Sequence, residues 1–132
     1  MADVSIGLLD TSVFIARESG RPIDTDRLPE ISTVSAVTIG ELQWGVLTTD
    51  DDKLRSQRMG TLSLAEGLDP FPVDERVAAA WALLRVQLKL AGQRMEINDS
   101  WIAATAIAQG LPLLTQDRGF PHGIPDLSVI EV

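Results

Sequence analysis

The sequence predicts one α/β domain, spanning residues 1–132, built on a mainly parallel sheet. Three observations point there. Short apolar runs alternate with longer stretches of helical periodicity, the pattern of strand–helix–strand units. The 132 residues are 45% hydrophobic and 23% charged, a balance and a length that let one core sustain itself. Two of the apolar runs lead into an aspartate, Asp10 and Asp117, and the carboxyl ends of parallel strands are where such sheets bind ligands.

Residues 4–9 (VSIGLL) read as the first strand, ending at Asp10. A short helix is expected over 12–18, stopped by Gly20-Arg21-Pro22. Residues 31–37 (ISTVSAV) read as a second strand and 39–47 as a helix. A polar helix follows Asp50-Asp51-Asp52 and runs towards Gly67, weakened at Gly60. Asp69-Pro70-Phe71-Pro72-Val73 is extended, because each proline biases its predecessor away from helix. Over 74–91 the helical signal is clearest, with Val77, Trp81, Leu84 and Leu88 on one face and Gly92 as its close. Asn98 opens a further helix to about Gln109, which Gly110 stops. Residues 111–115 form a short buried strand, and 126–132 (DLSVIEV) a last strand without a clean polar face.

Composition removes whole classes of chemistry. Without cysteine there are no disulfides, thiolate metal sites or cysteine nucleophiles, and a single histidine, His122, would have to carry any histidine-based site. No apolar run reaches the ~18 residues of a membrane span. The Met1-Ala2-Asp3 start lacks the basic stretch of a signal peptide, so a cytoplasmic protein is expected. The net charge is −8, yet residues 53–94 carry +3 and the remainder −11. That asymmetry suits a polyanion lying beside a cation-binding pocket.

Four acids stand out, and each also has an ordinary structural reading. Asp10 follows a strand and could cap a helix. Thr38-Ile39-Gly40-Glu41 fits a capping box, in which Glu41 would bond back to the Thr38 amide. Asp99 shares a helix face with Ile102, Ala103, Ala106 and Ile107, so one carboxylate sits on a stripe that should be buried. A charge there is costly unless it neutralises, pairs or binds a metal, although a first-turn acid with Asn98 as cap would also be favourable. Asp117, two residues before Gly119, fits an Asx-turn. Taken together, four acids at strand ends and helix starts of one sheet can meet on one rim. Carboxylates crowded there repel unless a hard divalent cation such as Mg²⁺ or Mn²⁺ relieves them. Such ions suit phosphodiester hydrolysis.

The stretches LLDTSVFI, VTIGELQWG and INDSWIAATAIAQGLPLLTQD resemble the PIN domain, most nearly the VapC toxins of VapBC toxin–antitoxin modules, over essentially the full chain. The third stretch is the most specific, joining acid, small-residue helix, glycine turn and strand in order. The resemblance implies a three-layer α/β/α sandwich and a Mg²⁺- or Mn²⁺-dependent endoribonuclease. Asp10, Glu41, Asp99 and Asp117 would form the acidic cluster, with Asp10, Asp99 and Asp117 as metal ligands and Thr11, Ser12 and Thr115 as polar support. It also implies a homodimer, and a hetero-oligomer with a VapB-type antitoxin whose tail wraps the toxin and obstructs its site. One position departs from the pattern: many relatives carry a further acid where this chain has Gly119.

RNA would approach along the basic segment, with Arg85 and Arg94 as phosphate contacts. Trp81 reads as core. Trp44 and Trp101 could stack on bases, but burial or a dimer contact is the simpler expectation. His122 has no evident acid partner and no catalytic role is expected of it. Two rival readings remain. An aspartyl-nucleophile phosphotransferase of the haloacid dehalogenase type wants a second acid where Ser12 stands, and a late lysine where none follows Lys89. A PIN-like module that binds RNA or protein without cutting has no use for mutually repelling carboxylates.

Overall fold

In a parallel sheet covered on both faces, successive side chains along a strand must both be apolar. Leu8-Leu9 and Leu113-Leu114 meet that demand, and they sit at the centre of the structure, a computed structural model describing residues 5–132. Val4, expected in the first strand, and the Met1-Ala2-Asp3 start lie outside the described residues. The strands β1 (Ile6–Leu9), β2 (Ile31–Thr33), β3 (Leu113–Thr115) and β4 (Val129–Glu131) form a parallel sheet in the order β2-β1-β3-β4. Leu8 pairs with Leu113 and Leu9 with Leu114. Gly7 lets this pair of strands close up, since a Cβ there would stand 2.5 Å from Leu114 Cδ1.

Alternation along β1 and β3 splits the core in two. Leu8 and Leu113 pack with Leu84, Leu88, Ile102, Ala103 and Ala106 from α4 (Glu75–Leu90) and α5 (Ile97–Gln109). Leu9 and Leu114 pack on the other face with Val13, Phe14, Leu42, Val46, Leu62 and Ala65 from α1 (Thr11–Ser19), α2 (Ala36–Leu47) and α3 (Asp52–Glu66). Helix, sheet, helix: this is the expected three-layer α/β/α sandwich. Among the described residues no helix is long and apolar enough to cross a membrane.

Several boundaries differ from expectation, and the reasons are local. The second strand ends at Thr33 and α2 begins at Ala36 rather than at residue 39. Ser35 is the N-cap, its Oγ accepting from the Val37 amide at 3.1 Å. A β-branched run is therefore overruled by a serine that can close the helix's first turn. The expected extended segment around Phe71 supplies a partner here, because Phe71 N–H donates to Val34 O and Ala36 N–H to Phe71 O. Helix α3 runs unbroken through Gly60, with Asp51 accepting from the Leu54 amide as its cap. Helix α4 is capped by Asp74, and Trp81 on its face is half-buried rather than core. Helix α5 starts at Ile97, with Glu96 at the N-cap position and no side-chain cap, so Asn98 is not the cap. Gly110, at φ +66°, turns the chain from α5 into β3.

Candidate active site

The carboxyl ends of β1 and β3 lie side by side, so the residues that follow them meet. Asp10 occupies the N-cap position of α1, yet its carboxylate makes no capping bond. The side chain turns inward instead, leaving the residue 3% exposed. Its Oδ2 accepts from Ser12 Oγ at 2.6 Å and from Thr115 Oγ1 at 2.9 Å. With their protons committed to Asp10, both hydroxyls accept from backbone: Ser12 from the Gln116 amide at 3.0 Å and Thr115 from the Asp117 amide at 2.9 Å. Asp10 Oδ1 has no partner, and it is the only buried side-chain N or O atom among the described residues left in that condition.

Glu41 also departs from its structural reading. With Ser35 as the cap, Thr38 lies inside the first turn of α2 and the expected capping box does not form. Glu41 Oε1 accepts from Thr11 Oγ1 at 2.7 Å, across from α2 to the start of α1. Asp117 does adopt the expected Asx-turn: its Oδ1 accepts from the Gly119 amide at 2.8 Å, and the residue is exposed. A Cβ at position 119 would press on that same oxygen at 3.1 Å.

Asp99 stands on the first turn of α5, half-buried above fully buried Ile102 and Ala103. Burial, then the charges of Asp10, Glu96, Glu41 and Asp117, push its carboxyl up to about 7. Asp99 thus feels the charges of the three other sequence-derived acids, and of Glu96, a fifth acid that sequence reasoning missed. Glu96 precedes the expected helix, and only its position three residues before Asp99 marks it.

The chemistry of this donor set fits a hard divalent cation. Its donors are oxygens throughout, one of them is buried and unpartnered, and the local potential is strongly negative. Among the described residues, no three His, Asp or Glu side chains stand in a ready-made coordination geometry. An ion would have to draw them together.

A cleft of about 770 Å³ opens from this rim, lined by Thr11, Glu41, Trp44, Arg58, Glu96 and Asn98 among others. Trp44, for which burial or a dimer contact was expected, is not buried within the chain; it is 68% exposed on the cleft wall. Trp101 is half-buried and stacked on Trp81, with ring centroids 4.4 Å apart. Arg85 lies over Trp81 at 5.9 Å and donates to Met95 O at 3.3 Å, while Arg94 is exposed. Both arginines line a second concavity of about 800 Å³ together with Lys89 and Gln93. His122 was expected to lack an acid neighbour, but Glu131 Oε1 lies 3.4 Å from its Nε2. Both side chains of that pair are exposed.

Comparison with known proteins adds an independent line. A family model described as "PIN domain" matches residues 7–123. The chain is 45% identical to Ribonuclease VapC4 of Mycobacterium tuberculosis over 131 residues, covering 98% of this chain and 99% of that one. It is 43% identical to Ribonuclease VapC5 of the same organism over 128 residues, covering 96% and 95%. Among solved structures, the VapBC-5 toxin–antitoxin structure from Mycobacterium tuberculosis matches with a TM-score of 0.89 and 39% identity, covering 97% of this chain and 99% of that one.

Proposed function

The chain belongs to the PIN domain family, and from that premise we infer that it is a toxin endoribonuclease of the VapC type, hydrolysing RNA phosphodiester bonds with Mg²⁺ or Mn²⁺. The observation that carries the metal dependence is the buried, unpartnered Asp10 Oδ1 beside the crowded Asp99 carboxyl. An oxygen in that position has been given up by the rest of the protein and is free for an outside ligand.

In this reading Asp10, Asp99 and Asp117 hold the ion. When bound, it neutralises phosphate charge and acidifies a coordinated water. The protein's own part is orientation. Ser12 and Thr115 fix Asp10 through Oδ2 and leave its buried Oδ1 without a partner. Thr11 fixes Glu41 at the cleft edge, where its second oxygen can orient or accept a proton from the attacking water. RNA phosphates approach over Arg94 and Arg85, of which Arg94 has the freer side chain.

A VapB-type antitoxin and a homodimer complete the proposal. The cleft next to Glu41, with exposed Trp44 on its wall, is where an antitoxin tail would shut RNA out. Solved toxin–antitoxin structures among the matches support that partner. The exposed Leu83, Val86 and Leu90 on α4 offer apolar surface for a second copy.

The test is RNA cleavage by purified protein freed of antitoxin. Cutting should require Mg²⁺ or Mn²⁺, stop with a chelator, and be lost in Asp99→Asn while the fold survives. Undiminished cleavage in chelator would remove the metal from the account. RNA recovered intact after long incubation in Mn²⁺ would favour the non-cutting module.

A further inference from the structure

Thr38 is fully buried, and its hydroxyl has one hydrogen-bonding partner among the described residues, Thr11 Oγ1 at 2.9 Å. The direction of that bond follows from counting protons. A carboxylate oxygen accepts, so the single Thr11 proton goes to Glu41 Oε1 at 2.7 Å. Thr11 must then accept from Thr38. The result is a one-way chain, from Thr38 to Thr11 to Glu41, joining α2 back to itself through α1. It exists because Ser35 caps α2, which leaves the Thr38 side chain free of the amides it would otherwise serve.

We propose that Thr38 is a positioning residue for the cleavage reaction, acting on Glu41 only through the Thr11 hydroxyl. This rests on the ribonuclease reading above. Thr38 touches neither substrate nor ion. By donating to Thr11 it locks the hydroxyl rotor towards Glu41 and polarises it, which strengthens the outgoing bond. Without that donor the Thr11 hydroxyl can rotate, and the Glu41 carboxylate loses its fixed heading.

The experiment is a double-mutant cycle of Thr38→Val and Thr11→Val, with Thr38→Ser as the conservative control. Steady-state cleavage of a single-stranded RNA in Mn²⁺ is one readout. Thermal melting of the metal-free proteins is the other. Thr38→Val should lower kcat roughly three- to tenfold, the factor that one neutral hydrogen bond of ~1 kcal/mol supports, with KM for RNA within about twofold of the parent. Thr38→Ser should recover most of that loss. Thr11→Val should lose at least as much, and adding Thr38→Val to it should cost no further activity. In the melts, Thr11→Val strands the buried Thr38 hydroxyl, so the double variant should melt no lower than Thr11→Val alone.

An unchanged kcat in Thr38→Val would overturn the proposal. So would a Thr38→Ser variant as slow as Thr38→Val, or activity losses that multiply in the double variant. Should Thr38→Val fail to fold, Thr38→Ala enters the same cycle and is judged by the same criteria. If the parent protein cuts no RNA, the functional reading fails separately. The metal-free melts then still decide whether the hydroxyl chain exists, and additive destabilisation would refute it.

Discussion

Asp99→Asn is the substitution on which stability and function should part company. The Asp99 carboxyl is pushed from an ordinary 3.8 to about 7, by burial first and then by Asp10, Glu96, Glu41 and Asp117. An acid whose folded-state value is raised holds its proton better in the folded protein. Its stabilising contribution is therefore complete below about pH 4 and is lost as the pH climbs through 7. Above pH 7 the charged side chain opposes folding. A rise from 3.8 to about 7 corresponds to ~4 kcal/mol at about 1.4 kcal/mol per pH unit. Because the side chain is half-buried, solvent screening reduces that to roughly 1–2 kcal/mol. Metal-free Asp99→Asn should therefore be more stable than the parent by about 1–2 kcal/mol at pH 8. The advantage should shrink as pH falls from 7 towards 4 and vanish below that. Urea denaturation of both proteins across this range measures it. The same variant should lose RNA cleavage and any rise in melting temperature on adding Mn²⁺. A variant no more stable than the parent at pH 8 would refute the claim that burial and crowded like charges together raise Asp99.

Thr115→Val removes one of the two hydroxyl donors to Asp10 Oδ2 and should weaken Mn²⁺ binding about 10- to 100-fold, as loss of a group orienting a metal ligand does; calorimetry reads this directly, and an unchanged affinity would mean that Ser12 suffices. Trp81→Phe deletes the Nε1–H bond of 2.9 Å to Ser100 Oγ while keeping a ring to stack on Trp101. It should cost about 1–2 kcal/mol in urea denaturation, since Ser100 is buried. Arg94→Ala should weaken RNA binding and lower the slope of log affinity against log salt by about 0.7, the share of one phosphate on a single strand; an unaltered slope would remove Arg94 from the RNA path.

What could be read from the sequence was whatever depends on periodicity and position along the chain. The doubled leucines at 8–9 and 113–114 announce strands buried on both faces, and the two cores they feed are where such a pattern puts them. The stripe of Asp99, Ile102, Ala103, Ala106 and Ile107 was legible for the same reason: Ile102, Ala103 and Ala106 are fully buried, while Ile107 is half-buried. Failures came where one tertiary contact outweighed a local pattern. Residues 31–37 look like a strand, but Ser35 caps a helix there and Phe71 supplies the pairing that ends the strand. The capping box at Thr38 and Glu41 is chemically sound, and it loses because a cap three residues earlier already serves the first turn. No one-dimensional signal tells which of two adjacent caps will win. Nor does any signal foretell that Trp44 stays exposed, since that depends on how α2 is rotated against α1 and α3.

The acids of the site differ in the hydrogen bonds they accept, and Asp99 stands apart from the rest. Asp10 Oδ2 accepts from two hydroxyls, Glu41 Oε1 from one, and Asp117 Oδ1 from a backbone amide. The Asp99 carboxylate receives no hydrogen bond from the described residues, and it stands on a helix turn that lacks a side-chain cap. Burial first, and the neighbouring charges after it, are why Asp99 rises to about 7. A proton settles the conflict at low pH. At neutral pH a divalent cation held by Asp10 and Asp99, as proposed above, would settle it instead. The hydroxyl network thus serves Asp10 and Glu41 and leaves Asp99 without a hydrogen bond, so in the proposed reading the demand for a cation falls on Asp99.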